Sequence, residues 1–170
     1  MFFLCASLFP CEGFFFAWFG PSYMPFTRIG MPRTILLAED HEDNRFALLT
    51  VLQREGYAAL GARNGREAVQ MAAEHRPDMI VMDLAMPVLD GRGAVKELKS
   101  DARTRDIPVV ALTAMSLTVS FDDLEAEGFA GLLTKPCMPP RLIAEVRRQI
   151  GPPEGPGAES GGLAQAGSPR

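Results

Sequence analysis

Residues 77–91 read PDMIVMDLAMPVLDG, and this stretch decides the fold. Met79, Ile80, Val81 and Met82 form a short unbroken apolar run, the pattern of a β-strand covered on both faces. The run ends on a single carboxylate, Asp83. A free carboxylate is costly to bury, so Asp83 is expected where the strand emerges, in the crevice at the carboxyl edge of an open α/β sheet. An Asp closing a strand is also an ordinary turn former, so Asp83 alone does not establish chemistry.

Upstream, TILLA at 34–38 is a second buried-type run, followed at once by Glu39 and Asp40. Residues 44–55 read as a helix with Phe46, Leu49 and Leu52 on one face, Leu48 beside them and Gly56 at the stop. Residues 57–62 form another strand. Asn64 and Gly65 then turn the chain into a helix over 66–76, with Ala68, Met71, Ala72 and His75 facing inward and Pro77 ending it. Downstream, Asp90 and Gly91 mark a turn, and Ala94, Val95 and Leu98 a helix ending near Ser100. IPVVAL at 107–112 is a fourth strand leading to Thr113; 116–127 is a more polar helix, 131–133 a fifth strand, and 139–150 a helix opened by two prolines. Strands alternating with helices predict an α/β fold: a five-stranded parallel sheet with helices on both faces, in one domain over residues 32–150.

The flanks differ in composition. Residues 1–31 are rich in Phe, hold the only Trp, and carry one charge, Glu12, before Arg28. A signal peptide needs a basic start, and a membrane helix needs about 20 apolar residues without the breaks that Pro10, Gly13, Gly20 and Pro21 supply. The expectation is that translation begins at Met31 or that this extension is disordered, a weak membrane anchor being the alternative. Residues 151–170, rich in Gly, Pro, Ser and Ala, are expected to be a disordered tail. The 170 residues carry a net charge of −4 and no cluster of Lys and Arg, which argues against a nucleic-acid partner. Three cysteines make no disulfide framework, so a cytoplasmic setting with no membrane partner is expected.

Four strand ends carry polar groups: Glu39 and Asp40, Asp83, Thr113, and Lys135. Parallel strands bring these ends to one edge of the sheet. Singly each has an ordinary explanation, as a helix cap, a strand-end hydroxyl or a solvated cation. Jointly they form a pocket of three carboxylates, a hydroxyl and an ammonium. Clustered carboxylates repel unless a cation joins them, and an all-oxygen site suits Mg²⁺, which keeps waters for a phosphate ligand. Asp83 is then a nucleophile toward phosphorus, with Lys135 and Thr113 sharing the charge of the transferring group. His41 and His75 are not read as ligands, because a hard cation favours oxygen.

ILLAEDHEDN, MIVMDLAMPVLDG, VVALTA and LLTKP, in this order, closely resemble the receiver domain of two-component response regulators across roughly residues 34–150. The resemblance implies a flavodoxin-like receiver fold with Asp83 as phosphoacceptor. It implies metal ligation by Glu39, Asp40, Asp83 and the backbone carbonyl of Ala85. Thr113 and Ala114 become the phosphate-binding and switch positions, Lys135 the phosphate's ion-pair partner, and Pro136 a candidate for a cis peptide bond. The implied partners are a sensor histidine kinase or a histidine phosphotransfer protein, docking near Asn44, Arg45, Pro136 and Cys137, and an unidentified downstream protein target. No output domain is expected after Ile150, so signalling falls to phosphorylation-dependent protein binding, without turnover of a small substrate.

Two departures from the family pattern stand out. The readout position three before the lysine, usually aromatic, is Leu132; Phe121 and Phe129 lie nearby and read as ordinary packing residues. Leu132 makes a constitutive, phosphorylation-independent interaction module the alternative. A metal-dependent phosphatase would normally need a second acid two residues beyond the nucleophile, where Ala85 stands. The second departure is that Ala85 and Met115, which the resemblance places beside the phosphoryl group, are both apolar and position no water. Ala85→Asn with Met115→Glu is therefore expected to speed self-dephosphorylation, followed as loss of the phosphorylated mass, and an unchanged rate would sink this reading.

Overall fold

The computed structural model describes residues 32–114 and 120–153, without the side chain of Phe121. The expectations for residues 1–31, for Met115, for a helix start at Ser116 and for the tail beyond Pro153 lie outside the described residues. Within them, strands and helices alternate: β1 (Thr34–Ala38), α1 (Glu42–Arg54), β2 (Ala58–Ala62), α2 (Gly65–His75), β3 (Met79–Asp83), α3 (Gly91–Ser100), β4 (Val109–Ala114), α4 (Phe121–Ala126), β5 (Gly131–Lys135) and α5 (Pro139–Ile150).

Every neighbouring pair of strands runs parallel, in the order β2-β1-β3-β4-β5. This is the five-stranded flavodoxin-like sheet expected. The chain leaves β1 first toward one edge and then toward the other, so a crevice opens at the carboxyl ends of β1 and β3. Period-two alternation divides the inner strands between two layers. Leu36, Ile80, Met82 and Ala111 pack with Ala72 of α2 and Leu98 of α3. Ile35, Leu37, Val81 and Leu112 pack with Leu52 of α1 and Val146 of α5. Each such Leu, Ile, Val or Met side chain removed from water contributes about 1.5–3 kcal/mol, which is why these strands are apolar at nearly every position.

Two inward assignments are corrected. Phe46 is 72% exposed, and the buried stripe of α1 runs through Leu48 and Leu52. At about 100° per residue, Phe46 lies roughly 160° round the helix from Leu48, on the water side. His75 is exposed in the last turn of α2, where an imidazole meets solvent and the helix dipole instead of paying for burial without a partner. The boundaries also move. α1 begins at Glu42, β2 at Ala58 and α2 at Gly65, β4 covers Val109–Ala114, α4 begins at Phe121 with Ser120 as its N-cap, and β5 extends through Lys135. Asp90, read as a turn residue, is the N-cap of α3 and accepts from the Gly93 N–H at 2.7 Å.

The β3–α3 connection holds a backbone outlier. Val88 has φ 70° and is 83% exposed. The Leu89 N–H donates to the Pro87 carbonyl at 2.8 Å, closing a three-residue γ-turn around it. A β-branched residue in this left-handed region costs roughly 1–3 kcal/mol, while glycine gives back about 0.5–1 kcal/mol in chain entropy. Val88→Gly is expected to stabilise the fold by about 1 kcal/mol, read as a higher urea midpoint; an equal or lower midpoint contradicts the strain.

Candidate metal centre

Three carboxylates converge at the ends of β1 and β3. Glu39 and Asp40 follow β1 directly, and Asp83 is the last residue of β3. One oxygen from each lies within 4.8 Å of the others. Asp40 is exposed, whereas Glu39 and Asp83 are 1% and 3% exposed. Asp83 therefore stands at the crevice, as its place in the strand predicts, but buried in its floor. Its burial is offset by two donors. The Ala85 N–H donates to Oδ1 at 3.0 Å, and Lys135 Nζ donates to Oδ2 at 2.5 Å.

Lys135 serves a second carboxylate, its Nζ lying 2.6 Å from Glu39 Oε2. At that distance the contact is a charge-assisted one, an ammonium against a carboxylate oxygen. Asn44 Nδ2 donates to the other oxygen, Oε1, at 3.2 Å. Burial pulls the pKa of Lys135 down, but the hydrogen bonds and charges of Asp83 and Glu39 outweigh it and the net shift is upward. One ammonium thus faces three carboxylates. An all-oxygen donor set with surplus negative charge fits a hard divalent cation.

The cleft above these groups has a volume of about 270 Å³ and is also walled by His41, Ala85 and Ala114. Thr113 is not part of that wall; its hydroxyl donates to the Ala114 carbonyl at 3.0 Å. The Lys135–Pro136 peptide bond is cis. Leu132 is half-buried against the layer formed by α2 and α3, and Phe129 is buried in that same layer. A second cavity of about 470 Å³ adjoins the cleft through Glu39, Asn44 and Lys135 and runs to Leu48, Pro136 and Cys137, whose thiol pKa burial raises. Sequence reasoning placed Asn44 and Arg45 only at a docking face. It missed that Asn44 fixes Glu39 and that Arg45 Nη1 donates to the Glu39 and Asp40 carbonyls at 2.9 and 3.3 Å. The available signal was their place on the first turns of the helix that follows the acidic pair. Among the described residues, no helix is long and apolar enough to cross a membrane.

Comparison with known proteins agrees with this geometry. The family model described as the response regulator receiver domain matches residues 35–147. The polar-differentiation response regulator DivK of Brucella anthropi is 35% identical over 121 residues, covering 71% of this chain and 98% of its own length. Among solved structures, the receiver domain of the Pseudomonas aeruginosa sensor histidine kinase PA1611, which has a magnesium ion coordinated in its active-site cleft, matches with TM-score 0.66 and 33% identity over 71% of this chain and 99% of its own. The Vibrio cholerae chemotaxis protein CheY4 matches with TM-score 0.66 and 30% identity over 69% of this chain and 98% of its own.

Removing the shared ammonium leaves two buried carboxylates uncompensated. Lys135→Met is expected to cost about 3 kcal/mol in urea denaturation, with much of the loss recovered by millimolar MgCl₂ as a divalent ion takes over the charge. A variant as stable as the native chain without added cation would contradict this account.

Proposed function

The chain belongs to the response regulator receiver domain family of two-component signalling, and on that premise we propose that Asp83 accepts a phosphoryl group from a phosphohistidine. The donor is a sensor histidine kinase or a histidine phosphotransfer protein. The observation that carries this reading is the buried pair Asp83 and Glu39 sharing Lys135, with Asp40 beside them.

Glu39, Asp40, Asp83 and the Ala85 carbonyl would hold Mg²⁺, which supplies positive charge against the oxygens of the transferring group. A carboxylate oxygen of Asp83 attacks phosphorus, the new O–P bond forms, and the P–N bond breaks with its electron pair returning to the histidine nitrogen. The Ala85 N–H fixes the carboxylate plane, and Lys135 stays at hand to meet charge on the phosphoryl oxygens. The Thr113 hydroxyl turns from the Ala114 carbonyl toward the phosphoryl group, and Leu132 repacks in response. The output is a shift in population that changes affinity for a protein target. This is self-modification, without turnover of a small substrate. The packing of Leu132 against the core favours one second reading, a constitutive binding module with the same fold.

Intact mass of the full chain, incubated with Mg²⁺ and acetyl phosphate beside Asp83→Asn, separates the two. One phosphoryl gain that requires both Mg²⁺ and Asp83 is expected; no gain under conditions that modify another receiver would leave the constitutive module.

A further inference from the structure

We propose that Arg45 is a positioning residue for the metal carboxylates, acting through the backbone of the Glu39–Asp40 turn; this rests on reading the cleft as a cation site. The turn carries two of the three acidic side chains, yet the helix after it starts without a side-chain cap. His41, the N-cap of α1, makes no such bond, whereas Asn64, Asp90 and Ser120 cap α2, α3 and α4. Arg45 supplies the missing restraint. From the first turns of α1 its Nη1 reaches back to the carbonyls of Glu39 and Asp40, at 2.9 and 3.3 Å.

The turn is pinned on its other sides as well. The Glu39 N–H donates to the Ala62 carbonyl at 3.1 Å, and Asn44 holds Oε1. Arg45 thus completes a frame in which the backbone of Glu39 is bound at both its N–H and its carbonyl. The arginine stem lies over β2 at Gly61, where an added Cβ would stand 3.3 Å from Arg45 Cδ and 2.9 Å from Leu49 Cδ1. The glycine makes room for the clasp. The guanidinium takes carbonyls and leaves the carboxylates to face the cleft, so it orients the acidic pair without occupying it.

Charge and position predict opposite signs. By Coulomb's law alone, deleting a cation beside three carboxylates tightens Mg²⁺ binding. Loss of a group that orients ligands weakens it, typically tenfold or more. Calorimetric titration of Mg²⁺ into the full chain, Arg45→Met and Arg45→Lys, with a thermal midpoint for each, decides between them. The expected result is binding about tenfold weaker in Arg45→Met and an intermediate loss in Arg45→Lys, which keeps the charge and part of the reach. Affinity in Arg45→Met equal to or tighter than native, even with a lowered midpoint, overturns the positioning role while leaving the cation site standing. Should Arg45→Met fail to fold, Arg45→Lys decides alone, severalfold weakening supporting the role and unchanged affinity overturning it. Absence of Mg²⁺ uptake by the native chain removes the cation site and the proposal with it.

Discussion

One ammonium holds two buried carboxylates, and the architecture of the crevice follows from that constraint. Like charges separated by less than 4.8 Å repel by roughly 3 kcal/mol or more at an effective dielectric near 20, before any cost of desolvation. Lys135 offsets this by touching both Glu39 and Asp83. It does so from across a strand. Asp83 is level with Leu112 and Leu112 with Leu133, so Lys135 stands two residues further along β5. It is level with Ala114, the small side chain between it and β3. A methyl group at that point gives the lysine room to lean back over β4 to the acid.

Much of this was legible because parallel α/β sheets write their topology into the chain. Strands 34–38 and 79–83 are apolar at nearly every position, a pattern only two-sided burial explains. Once the strands are parallel, polar groups at their carboxyl ends must share an edge, and so Glu39, Asp40, Asp83 and Lys135 were grouped from sequence alone. The resemblance to the receiver family then added what spacing could not, the Ala85 carbonyl, Ala114 and the candidate cis bond before Pro136.

What stayed hidden depended on side-chain direction. Phe46 looked internal because helical spacing admits more than one stripe, and α1 buries Leu48 and Leu52. Asp83 was placed at the crevice, but its depth there stayed hidden, because a sequence does not show that the ammonium of residue 135 reaches residue 83. Thr113 was placed in the pocket by its strand, yet its hydroxyl bonds the neighbouring carbonyl while Ala114 lines the cleft. The clasp of Arg45 on two carbonyls leaves no signature in a pattern of charges, since an arginine near an acidic pair reads first as an ion-pair partner.

The cleft and α4 differ in how firmly they are held, and under the proposed phosphorylation this asymmetry would set the direction of response. At the acidic end, backbone hydrogen bonds tie Glu39 to Ala62, Leu84 to Leu112 and Gly91 to Leu84, while α1 and α5 are locked by several fully buried side chains. At the other end, α4 has six residues, and among its described side chains only Leu124 is buried. Beyond it, Phe129 fills the core, and the Arg92–Glu127 ion pair joins α3 to the C-cap of α4 in a partly exposed setting where such pairs contribute about 0–1 kcal/mol. A change in the cleft worth one or two kcal/mol is small against the packing of α1 but comparable with what seats α4. Leu132 lies on β5, half-buried in the layer that also holds Leu124 of α4, and is free of hydrogen-bonding demands. An aliphatic side chain there packs by shape alone, so under the proposed phosphorylation any displacement it passed to α4 would be steric, without the directional bond that a phenol would add.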